Sequence, residues 1–308
     1  NPIAGINKYW TNGGSLKNTG FELTLTGKPV VGRDWHLELG ASVGHYKNKV
    51  ESLASGNYTT SVYGDNNILT SVGHPVGLFY GYQTTGVFAT DADAKAAGKD
   101  GYLYMIDDAG NANYFKAGDV HFVDRNGNGR IDDNDKTVIG DPNPDIYGNI
   151  FATLNWKAFT LDLGINYCLG NDVYNYQRSL LNSGSTFYNQ QVSEVSHWRY
   201  EGQQTDLPRL NYGDPLGNNR FSDRWIEDGS YLRLKTVKLS YQIPIPQSWT
   251  SWLQGLQVWA EGVNLLTFTK YTGSDPEFSA GNGVLYQGID CGNLALSRGF
   301  NFGLKINL

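Results

Sequence analysis

GNIFATLNWKAFTLDLGINY, residues 148–167, reads as two strands joined by a turn of two residues. Ile150, Ala152, Leu154 and Trp156 fall on one face and Asn149, Thr153 and Asn155 on the other, with Phe151 as the exception. Beyond Lys157 and Ala158 the alternation resumes, with Phe159, Leu161, Leu163, Ile165 and Tyr167 set against Thr160, Asp162, Gly164 and Asn166. Successive side chains of a strand point to opposite sides, so a period of two gives one apolar and one polar face. The same period runs through FELTLTG (21–27), DWHLELGASVG (34–44) and GFNFGLKINL (299–308). About nine strands are expected, near residues 20–27, 34–48, 58–64, 77–88, 147–156, 158–169, 230–243, 256–267 and 297–308. YLRLKTVKLSYQI (231–243) changes phase near Thr236, which predicts a bulge.

The connections alternate short and long. GKPVVGRD, LNWKAF and IPIPQSWTSWLQG are short, while residues 89–146, 170–229 and 268–296 form long polar excursions. A soluble sandwich has no reason to put every long loop at one end. An outer-membrane barrel does, with short turns in the periplasm and long loops outside. Trp35, Trp156, Trp249 and Trp252 all sit at the short-turn ends, as an interfacial aromatic girdle would.

Composition sets outer limits. The chain has 308 residues, 38 of them Gly, 20 Tyr and 8 Trp, and a net charge of −6 that gives no support for nucleic-acid binding. No run of 18 apolar residues exists for a spanning helix, and a mean hydropathy of −0.42 is compatible with strands that are only half apolar. Cys168 and Cys291 show no metal spacing and read as two isolated buried thiols. The opening NPIAGINKYW has neither a start methionine nor a signal peptide, so a processed product or a fragment is expected.

DRNGNGRIDDND, residues 124–135, has the layout of a calcium loop. Such a loop offers oxygens at positions 1, 3, 5, 7, 9 and 12 and a glycine at 6. Those positions hold Asp124, Asn126, Asn128, Arg130 through its carbonyl, Asp132 and Asp135, with Gly129 at the turn and Ile131 placed to pack underneath. Asp135 stands where a longer Glu would be usual. Asn, Gly and Asp also build turns without metal. The flanks, AGDVHFVD before and KTVIGDPNPD after, exclude a helix–loop–helix, so the expected role of a calcium ion is a structural clasp in a β protein.

Several segments together resemble the SusC/RagA-type TonB-dependent outer-membrane transporters of Bacteroidetes. They are VGHPVGLFYGYQTTGVF (72–88), GDVHFVDRNGNGRIDDNDKTVIGDPNPDIYGNI (118–150), RWIEDGSYLRLKTVKLSYQIP (224–244), VWAEGVNLLTFTKYTGSDPE (258–277) and the terminal aromatic strand. The resemblance implies an all-β fold: the C-terminal part of a transmembrane antiparallel barrel of about 22 strands, with the plug and early strands elsewhere. It implies active import of an oligosaccharide or peptide, a SusD-type surface lipoprotein as cap, and TonB coupling through the plug-bearing part. It also gives Asn301, Gly303, Ile306 and Leu308 the look of a barrel-assembly signal, although an ordinary amphipathic strand carries the same residues.

Open backbone edges are costly in lipid, so these strands must close on themselves or pair with strands outside this chain. The aromatics of 170–229, namely Tyr174, Tyr176, Tyr188, Trp198, Tyr200, Tyr212 and Trp225, are candidates for a substrate or partner surface, or for packing the loops together. The five histidines form no HExxH and there is no GxSxG, so no enzyme is expected. Two rivals fit part of the pattern: a secreted, calcium-stapled, β-rich glycan-binding module, and a smaller passive outer-membrane pore.

Overall fold

The computed structural model describes residues 12–64, 67–107 and 109–308; NPIAGINKYW lies outside them. Seven long strands form one antiparallel sheet in chain order: β1 (Gly14–Val31), β2 (Trp35–Leu53), β3 (Ile146–Trp156), β4 (Phe159–Leu169), β5 (Tyr231–Ile243), β6 (Gly255–Thr269) and β7 (Gly299–Asn307). β1 and β7 are the two edges and do not pair with each other. Every residue of β1 is exposed.

The register explains why the alternation is so regular. One face carries unbroken apolar rows from strand to strand. Leu37, Leu154, Leu161, Leu239, Ala260 and Phe302 are successive cross-strand partners. Below them run Trp35, Trp156, Phe159, Tyr241, Val258 and Leu304. The opposite face aligns Glu38, Thr153, Asp162, Lys238, Glu261 and Asn301. The apolar face is left uncovered: Leu39, Ile150, Leu239, Leu266 and Phe302 are all exposed. An uncovered apolar surface of this extent marks contact with lipid or protein. With a polar opposite face, it is the wall of a membrane barrel, lipid side out.

The girdle is visible as contacts. Trp35 and Trp156 stack with ring centroids 5.5 Å apart, Trp156 stacks on Phe159 at 5.8 Å, and Trp249 meets Trp252 at 5.8 Å. The turn between β3 and β4 is Lys157–Ala158, with Lys157 at a φ of 54°. The bulge expected near Thr236 is present. The register slips between Leu234 and Thr236 against both neighbouring strands.

Phe151, the exception in the alternation, points inward and lies across Gly40. A Cβ at Gly40 would fall 2.1 Å from Phe151 Cζ. Trp259 covers Gly303 in the same way, with Cε2 only 2.2 Å from a Cβ there. Glycine opposite an inward ring lets the ring lie flat on the wall.

Two of the nine expected strands are not in the wall. Residues 58–64 and 77–88 belong to short strands, Tyr58–Thr60, Leu78–Gly81 and Thr84–Val87, of smaller sheets. The first long excursion therefore runs from 54 to 145 rather than over 89–146. VGHPVGLFYGYQTTGVF is apolar because it fills the interior of that excursion: Leu78, Phe79 and Phe88 are buried. The misplaced strands are two in number, so removing them leaves the long excursions on one side.

The core sits in the excursions. Among the buried apolar residues only Val50 lies in a wall strand. One cluster gathers Phe88, Leu103, Phe115, Val120, Phe122 and Ile131, and another Val62, Ile68, Phe79, Tyr174, Trp225 and Ile289. The second joins all three excursions, so they form one canopy over the wall. The apolar residues of the wall meet lipid instead of each other.

Candidate functional site

The loop at 124–135 closes on its own oxygens. The Asp124 carboxylate accepts hydrogen bonds from the amides of Gly127 (2.8 Å), Asn128 (3.2 Å) and Gly129 (2.6 Å). Asn126 Oδ1 accepts from Asn128 N at 3.0 Å and Asn128 Oδ1 from Arg130 N at 2.7 Å. Asp132 Oδ1 accepts from Asn134 N at 2.9 Å. Asp135 is fully buried and accepts from Arg125 N (2.9 Å) and Asp132 N (2.8 Å), tying the two ends of the loop together. Gly127 and Gly129 take φ values of 68° and 82°, which a side chain strains. Ile131 is buried in the cluster beneath, as its position predicts.

The short side chain of Asp135 thus works as a cap. Among the described residues no three His, Cys, Asp or Glu side chains gather closely enough to hold a metal ion. A cation here would depend on amide and carbonyl oxygens as much as on carboxylates. The donor chemistry fits a hard cation such as calcium, but its low charge count predicts weak binding.

The candidate aromatics separate into three groups. Tyr174 and Trp225 are core residues; Trp225 Nε1 donates to the Arg220 carbonyl at 3.1 Å. Trp198 is half-buried over Gly118 and donates to the Ala89 carbonyl at 3.3 Å. Tyr188, Tyr200 and Tyr212 are exposed, and Tyr212 stacks on the equally exposed Phe187 at 4.7 Å. Tyr176 lies between, half-buried, with its ring 5.2 Å from Tyr63 and 5.9 Å from Tyr174. Tyr174 and Tyr176 line one cavity of about 720 Å³, together with Tyr80, Tyr82, Asn219 and Arg220, which the sequence had not singled out as site residues.

Charge around that cavity is internally balanced. A hydrogen bond from Lys136 holds the Asp133 carboxyl below the usual range, and burial pushes the Asp214 carboxyl up. Arg220 is pinned by the Gly217 carbonyl at 3.0 Å and the Leu216 carbonyl at 2.9 Å.

The four residues that resemble an assembly signal fall on different surfaces. Asn301 faces inward and donates to Glu261 at 3.1 Å, Gly303 lies under Trp259, and Ile306 continues the apolar face opposite Leu256. Leu308 follows the end of β7 and is exposed. Cys168 and Cys291 are both free and half-buried.

Fold and surface together define an outer-membrane β-barrel wall with a folded canopy of loops. No family profile matches the chain. It is similar to TonB-dependent receptor P3 of Formosa agariphila, 29% identical over 98% of the chain and 30% of that protein. It is also similar to the TonB-dependent receptor SusC of Bacteroides thetaiotaomicron, 26% identical over 88% of the chain and 25% of SusC. Among solved structures it superposes on a chain of the RagAB peptide transporter with a TM-score of 0.74 at 22% identity, covering 99% of this chain and 31% of that one. Over nearly its whole length the chain is similar to a barrel portion of TonB-dependent receptors of the SusC type, and it shares the fold of the RagAB transporter chain. It spans 30% of the length of the Formosa relative. The outer membrane is its location, and the secreted-module alternative falls with it.

Proposed function

We propose that the whole protein imports a nutrient across the outer membrane in a TonB-dependent manner, with this chain supplying barrel wall and extracellular loops. The observation that carries the proposal is the division of the molecule: an apolar outer face with no core, and a canopy whose two clusters interlock three excursions. A wall of that kind serves a path through a membrane, and a canopy of that kind forms a fixed surface at its mouth. A SusD-type surface lipoprotein is the proposed cap on that surface. The plug and its TonB contact belong to the part of the protein beyond this chain. The cargo is an oligosaccharide or a peptide. Calcium, held by Asp124, Asn126, Asn128, Arg130, Asp132 and Asp135, is proposed to stiffen the first excursion.

The test is uptake in the native host. Cells lacking the protein are compared with complemented cells for accumulation of fluorescent oligosaccharides and peptides, with and without the inner-membrane proton gradient. Gradient-dependent uptake restored by the gene supports import. Unchanged accumulation of every cargo in the deletion strain overturns it. Detergent extraction followed by identification of co-purifying chains tests the lipoprotein cap in the same preparation.

A further inference from the structure

We propose that Lys17, Lys47 and Lys49 form a site on the outer rim of the wall for the phosphate group of an outer-leaflet lipid. The site depends on the membrane-spanning wall and is independent of the import function. The register places all three side chains on the lipid side. Leu25, Leu23 and Phe21 of β1 pair with Ala41, Val43 and His45 of β2 on the apolar face. The same face continues with Thr19 opposite Lys47 and then Lys17 opposite Lys49, with no register shift in between. The rings of Phe21 and His45 lie 5.8 Å apart, as partners on one face do. Asn48, between the two lysines of β2, points the other way, into the canopy. Its Nδ2 donates to Asn143 Oδ1 at 3.0 Å, and its Oδ1 accepts from Val76 N at 2.7 Å.

Height along the strand puts the lysines at the headgroups. Trp35 belongs to the girdle at the short-turn end, and His45 lies ten positions further along β2. At about 3.3 Å per residue and a tilt of about 40°, that stretch climbs about 25 Å, the height of the apolar band of such barrels. Lys47 and Lys49 stand about 5 and 10 Å higher, beyond the acyl chains. The short-turn end is the periplasmic one, so the leaflet they meet is the outer one.

The charge there is concentrated and unbalanced. Among the described residues, the cross-strand pairs of the lipid face carry no other Asp, Glu, Lys or Arg from β1 to β7. None of the three lysines has an ion-pair partner among the described residues. Glu51, the nearest carboxylate in β2, falls in the bulge beyond Val50 and makes no ion pair with them. Lys17 and Lys49 are directly opposite, where like charges repel, and Lys47 is diagonal to Lys17 and within reach of it. An anion between them turns that repulsion into three attractions. Cations that merely anchor a barrel would be spread around its rim. Here β3 and β4 end at the same rim in exposed Ile146 and Leu169. A lipid is the occupant because exposed Phe21, Leu23 and Leu25 run directly below the lysines and receive its acyl chains.

The experiment uses the full-length protein purified from outer membranes in neutral detergent. Affinity is measured for monophosphorylated lipid A, for the same lipid after dephosphorylation, and for inorganic phosphate. The variants are Lys17→Gln/Lys47→Gln/Lys49→Gln and Lys17→Arg/Lys47→Arg/Lys49→Arg. Lys28→Gln is the control, since Lys28 lies 3.7 Å from Glu38 on the bore side. Heat-modifiable gel mobility reports whether each barrel is folded. The phosphorylated lipid should bind at least tenfold more tightly than either other probe. The glutamine triple should lose at least tenfold toward that lipid and nothing toward the dephosphorylated one. The arginine triple and Lys28→Gln should bind as the native protein does. Thermal unfolding gives a second readout. In phosphatidylcholine vesicles the glutamine triple should melt no lower than the native protein, because the repulsion is gone. In vesicles of phosphatidylcholine and lipid A in equal parts, only the native protein and the arginine triple should gain stability. Equal affinity for the two lipids, a glutamine triple that binds like the native protein, or inorganic phosphate bound as tightly as the lipid would each overturn the site. Loss of a co-purifying protein from the glutamine triple, with lipid affinity unchanged, would overturn it in favour of a protein contact.

Discussion

Arg233 of β5 and Asp275 of the last excursion form an ion pair 2.5 Å long, with side chains only 2% and 7% exposed. Arg233 faces the bore, as the partner of Asn166 on the polar side of the wall. Asp275 also accepts the amides of Glu277 and Leu296, both at 2.9 Å. The last excursion is thus fastened inward, onto the wall. Asp275→Ala leaves the buried guanidinium with only the half-exposed Glu277, 3.2 Å from its Nε, a change expected to cost less than the roughly 3–5 kcal/mol of a fully unpaired buried charge. Amide hydrogen exchange across 271–296 should speed up while β5 stays protected. The double variant Arg233→Met/Asp275→Leu should cost less than either single one. Unchanged exchange in Asp275→Ala would show that the fastening lies elsewhere.

The same contact sets an acid limit. Burial works against ionisation of Asp275, but the Arg233 guanidinium and the two amides outweigh it and hold the carboxyl below its usual 3.8. A depressed folded value means the stabilisation is complete above the unfolded value and disappears as pH falls through the folded one. Protection factors across 271–296, exchange rates corrected for the intrinsic pH dependence, should therefore be the same at pH 7.5 and pH 5 and fall only below the ordinary carboxylate range. A transition between pH 5 and 7 would assign the pH response to another group.

The lipid face and the bore should answer differently to one charge. Leu163 continues the apolar rows between Ala152 and Val237. Leu163→Arg should destabilise the barrel by about 2–4 kcal/mol, as arginine does near the midplane of a barrel. Thr160→Arg, which points into the bore, should cost less than about 1 kcal/mol. Urea unfolding of the full transporter in lipid vesicles gives both values, and equal losses would contradict the assignment of faces.

Glycine on the inner face is a steric requirement at two positions. Gly40→Val and Gly303→Val each drive a side chain into a ring, Phe151 and Trp259 respectively. Both should lower the amount of folded barrel in the outer membrane, and Phe151→Ala should restore Gly40→Val, with Trp259→Ala restoring Gly303→Val. Rescue is read by heat-modifiable mobility, and failure of both rescues would point to strand propensity instead.

Calcium should act locally and weakly. With few carboxylates in the loop, the dissociation constant is expected at roughly 10⁻⁴–10⁻³ M, the range of extracellular modules. Millimolar calcium should slow proteolysis within 99–136 in the native protein and have no such effect in Asp124→Ala. Equal protection in both would exclude the loop as the site.

The wall was legible because lipid imposes one rule on every strand. Ile150, Leu161 and Phe302 must face out, so the period of two survives along the wall apart from the inward Phe151 and the bulge near Thr236. The bulge at Thr236 and the girdle of Trp35 and Trp156 followed from the same rule. Residues 58–64 and 77–88 imitated wall strands because Phe79 and Leu78 are as apolar as Leu161, though they answer to a packed interior. The cavity was less legible. Tyr80, Asn219 and Arg220 come from stretches far apart in sequence, and only packing of the excursions brings them to Tyr174 and Tyr176. Arg233 carried a signal that could have been used, since alternation already places it on the bore side between Leu232 and Leu234.

The second excursion leaves the wall at Leu169 and returns at Tyr231, and Cys168 and Tyr231 are direct cross-strand partners. Its two roots are therefore one strand spacing apart, about 5 Å. Any folded insert with neighbouring termini meets that geometric condition, whatever its size. Since the lipid-facing rows contribute nothing to the canopy interior, selection can exchange or recombine whole inserts while the membrane insertion of the host strands proceeds as before. Diversification of cargo in such a lineage should appear as replacement of complete excursions more often than as point changes in the strands beneath them.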